Sequence, residues 1–128
     1  MTFGIDPAIG ALSLVDSHSV VAYTIAIDPF GRYLWGTSNG DTIVGLGLDP
    51  KTGIPIPLPG SPYSLNGSPL SVPTGPAVDP TGQYVYAGDV VNAKVYGFRI
   101  RRDGSLTLLG PVATLPFLAE AMVTVYLP

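Results

Sequence analysis

Residues 26–36 read AIDPFGRYLWG, and residues 77–87 read AVDPTGQYVYA. Ala26, Asp28, Pro29, Gly31 and Tyr33 recur as Ala77, Asp79, Pro80, Gly82 and Tyr84, at a constant offset of 51 residues. A phrase that returns at such a spacing marks a repeated supersecondary unit. Within the phrase, Pro29 and Pro80 suit the second position of a turn, where φ is fixed. Asp28 and Asp79 can accept backbone N–H groups across that turn. Gly31 and Gly82 permit positive φ as the chain enters the next strand. Tyr33 and Trp35 then share one side of an alternating strand, with Leu34 and Gly36 on the other. Tyr84 and Tyr86 against Val85 and Ala87 repeat that alternation.

The echo continues outward. TIVGLGLDPKTGI (42–54) follows the first copy and KVYGFRIRRDGSL (94–106) follows the second, aligned at an offset of 52. A third, partial copy opens the chain: FGIDPAIGALSL (3–14) matches LGLDPKTGIPIP (46–57) at an offset of 43. Each full unit resolves into four short strands: 21–27, 32–38, 42–48 and a Pro-laden 54–58, then 71–78, 83–89, 93–100 and 105–112. Apolar or aromatic residues on both strand faces predict sheets covered on both sides. Helical periodicity is absent, apart from a short turn that 115–123 would allow. AMVTVYL (121–127) reads as one further strand.

Composition agrees with strands punctuated by turns. The 128 residues include 16 Gly and 14 Pro, and 46% are hydrophobic. Only 12% are charged, about half the usual fraction, so much of the surface is expected to be buried within the chain or against partners. With six basic residues and a net charge of −3, nucleic acid is not an expected partner, because phosphate neutralisation needs a basic surface. The absence of cysteine removes disulfides, thiolate nucleophiles and thiolate metal sites. MTFGIDPAIG lacks the features of a signal peptide, which leaves a cytoplasmic chain or one secreted after processing. No apolar run approaches the length of a membrane span.

Four antiparallel strands per unit of 43–52 residues make a propeller blade. AIDPFGRYLWG, GLDPKTGIPIPLPGSPYS and AVDPTGQYVYAGD resemble the lactonase-type, YVTN-repeat β-propellers over residues 3 to about 114. The expectation is therefore an all-β protein of propeller-type blades in an incomplete ring. Residues 1–15 would end one blade, 20–65 and 69–114 would be full blades, and 115–128 would start another. Roughly a third of a ring leaves blade faces open to water. That predicts association with further copies, as a homo-oligomer, or with the remaining blades of a longer chain.

The resemblance places ligands at the second-to-third strand loops and the blade connections, here SNGDT (38–42), DVVNAK (89–94), DSHS (16–19) and LNGSP (65–69). His18, Asn39, Asp41, Asn66, Asp89 and Asn92 are the candidate binding residues, for a small sugar-like ligand. The plain alternative is that Asn, Asp and Gly build these turns. One His, one Glu (Glu120) and scattered Asp carry no catalytic set. They also lack metal-ligand spacing, and no cofactor is expected. Arg99, Arg101 and Arg102 read as a solvated strand face, and Trp35 with the tyrosines as inter-blade packing rather than a sugar-stacking platform. The reading is a non-catalytic scaffold or interaction module. The alternatives are part of a lactonase-like sugar-lactone hydrolase and a carbohydrate-binding propeller.

Overall fold

The computed structural model describes residues 1–17, 22–38, 40–66, 73–116 and 122–125. Its strands form three antiparallel sheets. The first is a hairpin of β1 (Thr2–Ile5) and β2 (Leu12–Asp16). Blade 1 follows, with β3 (Thr24–Ile27), β4 (Tyr33–Thr37), β5 (Thr42–Leu48), β6 (Pro55–Pro57) and β7 (Tyr63–Ser64). Blade 2 holds β8 (Pro73–Val78), β9 (Tyr84–Asp89), β10 (Lys94–Ile100) and β11 (Leu106–Thr114), paired in sequence order. No helix occurs among the described residues.

The repeated phrase forms the turns its chemistry calls for. The Gly31 amide donates to the Asp28 carbonyl and the Gly82 amide to the Asp79 carbonyl, and both glycines hold positive φ. Asp49 and Asp6 close the DPKTG and DPAIG turns through the amides of Gly53 and Gly10. Arg101 and Gly104 close the corresponding turn of blade 2.

The fourth strand of blade 1 is not the continuous 54–58 segment that the sequence suggests. β6 pairs with the end of β5 at Leu46–Leu48, and β7 pairs with its beginning at Thr42–Ile43. Pro55, Pro57, Pro59 and Pro62 have no N–H to donate, so a continuous ladder cannot run through them. The chain leaves the sheet between the two pieces. There the Gly45 amide donates to Ser61 Oγ at 2.9 Å, and Leu58 turns into the core.

Strand register decides which faces meet. Trp35 opposite Gly45 and Thr37 opposite Ile43 put Tyr33, Trp35 and Ile43 on one face of blade 1. Val85 opposite Phe98 and Ala87 opposite Tyr96 put these four on one face of blade 2. The two faces meet in a single core that includes Leu58, Leu65 and Leu106. Full burial of a side chain such as Phe98 or Ile43 stabilises by about 1.5–3 kcal/mol relative to exposure. Contacts at the turns reinforce the packing: the Tyr33 hydroxyl donates to the Arg102 carbonyl at 3.0 Å, and the Tyr33 ring lies against Gly104.

Trp35 packs between the blades, while Tyr84 and Tyr86 lie on the opposite side of blade 2, half-buried and stacked at 6.3 Å. Blades of this kind stack in one direction, so the aromatic face of blade 1 meets the Val85 face of blade 2 while the aromatic face of blade 2 points onward, toward where a following blade would stand. The expectation for 121–127 needs correction. Residues 122–125 form no strand; the Thr124 hydroxyl donates to the Val78 carbonyl at the end of β8. Residues 121 and 126–128 lie outside the described residues, as do 117–120 of the expected helical turn.

Candidate functional site

The conspicuous acids of the repeated phrase are turn anchors. Asp28 is buried. Its carboxylate accepts the backbone N–H of Arg32 and, at 3.1 Å, of Tyr33, and the Arg32 guanidinium at 2.8–2.9 Å. The guanidinium lies over the Phe30 and Tyr33 rings, 4.8 and 5.1 Å from their centroids. Asp79 accepts the amides of Thr81, Gln83 and Tyr84 and the Thr81 hydroxyl. Partial burial pushes the Asp79 carboxyl up, but the Thr81 hydroxyl and these amides together hold it below the ordinary carboxylate value. Asp49 and Asp103 are lowered too: Asp49 chiefly by the Thr52 amide, and Asp103 chiefly by the Ser105 hydroxyl. A carboxylate held this way is a stronger acid and a poorer general base.

At the opposite strand ends, the candidate residues fall into two local groups. In blade 1, the Ser64 hydroxyl donates to Asp41 Oδ2 at 2.8 Å, and the Leu65 amide donates to the Asp41 carbonyl. The Asn66 amide donates back to Ser64 Oγ at 2.9 Å, with Asn66 at φ 51°. Asp41 and Asn66 are thus brought together through Ser64. In blade 2, Asp89 is buried at the mouth of the β9–β10 turn. It accepts the amides of Val91 and Asn92 on Oδ1 and the Asn92 side-chain amide on Oδ2 at 2.7 Å. His18 and Asn39 lie outside the described residues.

Sequence reasoning missed Ser64, the residue that joins Asp41 to Asn66. It stands 23 positions from Asp41, in a two-residue strand behind a run of prolines, where nothing marks a pairing. It also missed the hydroxyl pair of Thr24 and Thr37, 2.6 Å apart, whose Thr37 member is fully buried at the end of β4. Among the described residues, no three His, Cys, Asp or Glu gather into a metal-holding group. Of the three arginines singled out, Arg101 donates from Nε to Thr107 Oγ1 across the β10–β11 turn. The loop ends offer polar side chains, with Asp41 and Asp89 engaged in shaping their own turns.

No family model matches the sequence, and no curated protein matches it closely enough to count as a relative. Solved structures do. A Lactobacillus plantarum protein superposes with a TM-score of 0.73 at 18% identity, over 87% of this chain and 34% of its own. The periplasmic gluconolactonase of Pseudomonas aeruginosa matches with a TM-score of 0.69 at 18% identity, over 92% of this chain and 36% of its own. The β-propeller domain of Cps50 (Swd1) from Myceliophteria thermophila matches with a TM-score of 0.63 at 16% identity, over 93% of this chain and 38% of its own. At such identities the likeness carries the fold alone. The fold is that of β-propeller blades, and the chain spans about a third of the length of the structures it matches. The described sheets do not close a ring.

Proposed function

We propose that this chain is a non-catalytic β-propeller scaffold, a pair of blades that self-associates or completes a larger propeller. The observation that carries the reading is the contrast between its blade faces. The face holding Trp35 is sealed by blade 2, with Trp35 fully buried. The opposite face of blade 1 leaves Ile25 and Ile27 63% and 56% exposed, and the far face of blade 2 leaves Leu109 and Val112 about half exposed. Apolar sheet surface of this extent draws a covering partner. Light scattering on the purified chain tests the self-association arm. The expected mass at micromolar concentration exceeds the 13.3 kDa of one copy. A stable monomer that hydrolyses a lactone would overturn the reading.

A second reading is part of a lactonase-like sugar-lactone hydrolase or a carbohydrate-binding propeller. It is supported by the likeness to the Pseudomonas aeruginosa gluconolactonase. His18, Asn39, Asp41, Asn66, Asp89 and Asn92 would then supply polar contacts to a sugar-like ligand. Hydrolysis of gluconolactone above the buffer rate, reduced by His18→Ala, supports the enzyme. Specific glycan binding weakened by Asp41→Ala supports the binding module.

A further inference from the structure

The β1–β2 hairpin carries the sequence that matches the third and fourth strands of blade 1, so it corresponds to the outer half of a preceding blade. Its more buried side, Thr2 and Gly4, corresponds to Gly45 and Gly47 at the offset of 43. Met1 and Thr2 wall one side of a cavity of about 480 Å³; Ile25, Leu34, Leu46 and Leu48 wall the other. Leu34 and Leu46 are the counterparts of Val85 and Phe98 in blade 2. In the core between the blades, Val85 and Phe98 are sealed by the aromatic pair Tyr33 and Trp35 on β4, the second strand of the blade before them. The cavity is the place that a corresponding aromatic pair would fill.

Two further observations fit the same occupant. Among the described residues β1 pairs with β2 alone, so its other edge presents unpaired backbone groups. Where Tyr33 and Trp35 stand opposite Gly47 and Gly45 in blade 1, the matching positions on β1 are Gly4, which leaves the same room for a ring, and Thr2, which leaves less room than Gly45. We propose that the β1 edge and the adjoining cavity form a strand-acceptor site. Its occupant is a two-stranded β-hairpin of the same repeat type, with two aromatic residues at alternate positions on its second strand. It pairs with β1 by strand addition and seats its rings over Leu34 and Leu46. This deepens the scaffold reading, on which it rests.

The probe is a fluorescein-labelled peptide of residues 73–89, PTGPAVDPTGQYVYAGD, which spans β8 and β9. It is titrated with the 128-residue chain and followed by fluorescence anisotropy. Saturable binding is expected, weakened about tenfold or more by Tyr86→Ala in the peptide. Ile25→Lys in the chain, at a position open to solvent, weakens binding similarly while circular dichroism and the urea midpoint stay unchanged. Binding no better than that of a scrambled peptide, by a chain shown to be folded, overturns the site. So does binding indifferent to both substitutions. Either failure leaves the scaffold reading to its own mass measurement.

Discussion

Trp35 stands directly across the β4–β5 ladder from Gly45, and its ring occupies the space that a side chain on Gly45 would need. A Cβ built on Gly45 would fall 2.9 Å from the Tyr63 ring and 3.2 Å from both Trp35 and Leu58. The same pairing recurs one blade later, where Tyr86 faces Gly97. There a Cβ would meet the tip of Val112 at 2.9 Å, with Tyr86 further off at 3.5 Å. Glycine opposite an aromatic is therefore a feature of the repeat, but only the first instance is locked inside a core. Gly45→Ala should destabilise the chain by about 1–3 kcal/mol through overpacking. Gly97→Ala should cost clearly less, because Val112 is half exposed and can move. Urea denaturation of the two variants, compared with the parent, checks the order. Equal losses would mean that the Trp35 pocket is not the tighter one.

Gly104 makes the sharper test of the contact between blades. Its φ is +81°, and a Cβ there would lie 2.4 Å from the Tyr33 ring and 2.9 Å from Leu58. Gly104→Ala thus adds left-handed backbone strain to a clash across the interface. A loss above about 2 kcal/mol is expected, in the upper range for a single substitution. Tyr33→Phe removes only the hydroxyl bond to the Arg102 carbonyl and should cost about 0.5–1.5 kcal/mol. Combining the two should give less than the sum, since both act on the same ring–turn contact. Full additivity in a double-mutant cycle would refute that coupling.

Much of this architecture is legible in the residues. Asp28, Pro29 and Gly31 form a turn by local chemistry alone, and the echo at Asp79, Pro80 and Gly82 reveals the repeat. What local pattern does not carry is direction. Alternation says that Tyr84 and Tyr86 share a face, yet not whether that face meets blade 1; only the handed stacking of twisted sheets decides that. The split of the fourth strand into β6 and β7 was hidden for a different reason. The prolines announce an interruption, but Ser61 Oγ taking the Gly45 amide is a long-range substitution that no local signal marks. The loop candidates show the same limit. Asp89 with Asn92 is a local turn and can be read, whereas Asp41 with Ser64 joins segments far apart in sequence.

Acid sensitivity should trace to the turn aspartates. The carboxyls of Asp79, Asp49 and Asp103 are all held below their ordinary value of 3.8 in the folded chain. A depressed folded value means that the unfolded chain binds protons first as pH falls. The stabilisation is complete well above 3.8 and is lost as pH drops from there through the folded values. The urea midpoint should therefore be flat from neutral pH to about 5 and fall below 4. Asp79→Asn should lower the midpoint at neutral pH and make the acid limb shallower. A variant whose acid limb parallels the parent's would show that Asp79 does not contribute to it.

Trp35 poses a last question, because its buried indole Nε1 has no hydrogen-bond partner among the described residues. An unpaired buried donor costs about 1–3 kcal/mol, while truncating a buried Trp costs about 3–5 kcal/mol in lost packing. The two terms oppose each other in different substitutions. Trp35→Ala loses the ring and leaves a hole among Ile43, Val85 and Phe98, so the full packing loss is expected. Trp35→Phe keeps most of the ring against Gly45 and removes the unpaired N–H. The lost volume and the relieved donor then largely offset, and a change within about 1.5 kcal/mol is expected. The equivalent position of blade 2 already carries a smaller aromatic, Tyr86, opposite its own glycine. Urea denaturation of both variants decides the matter: if Trp35→Phe destabilised as strongly as Trp35→Ala, the indole nitrogen would have to be held by a partner in solution.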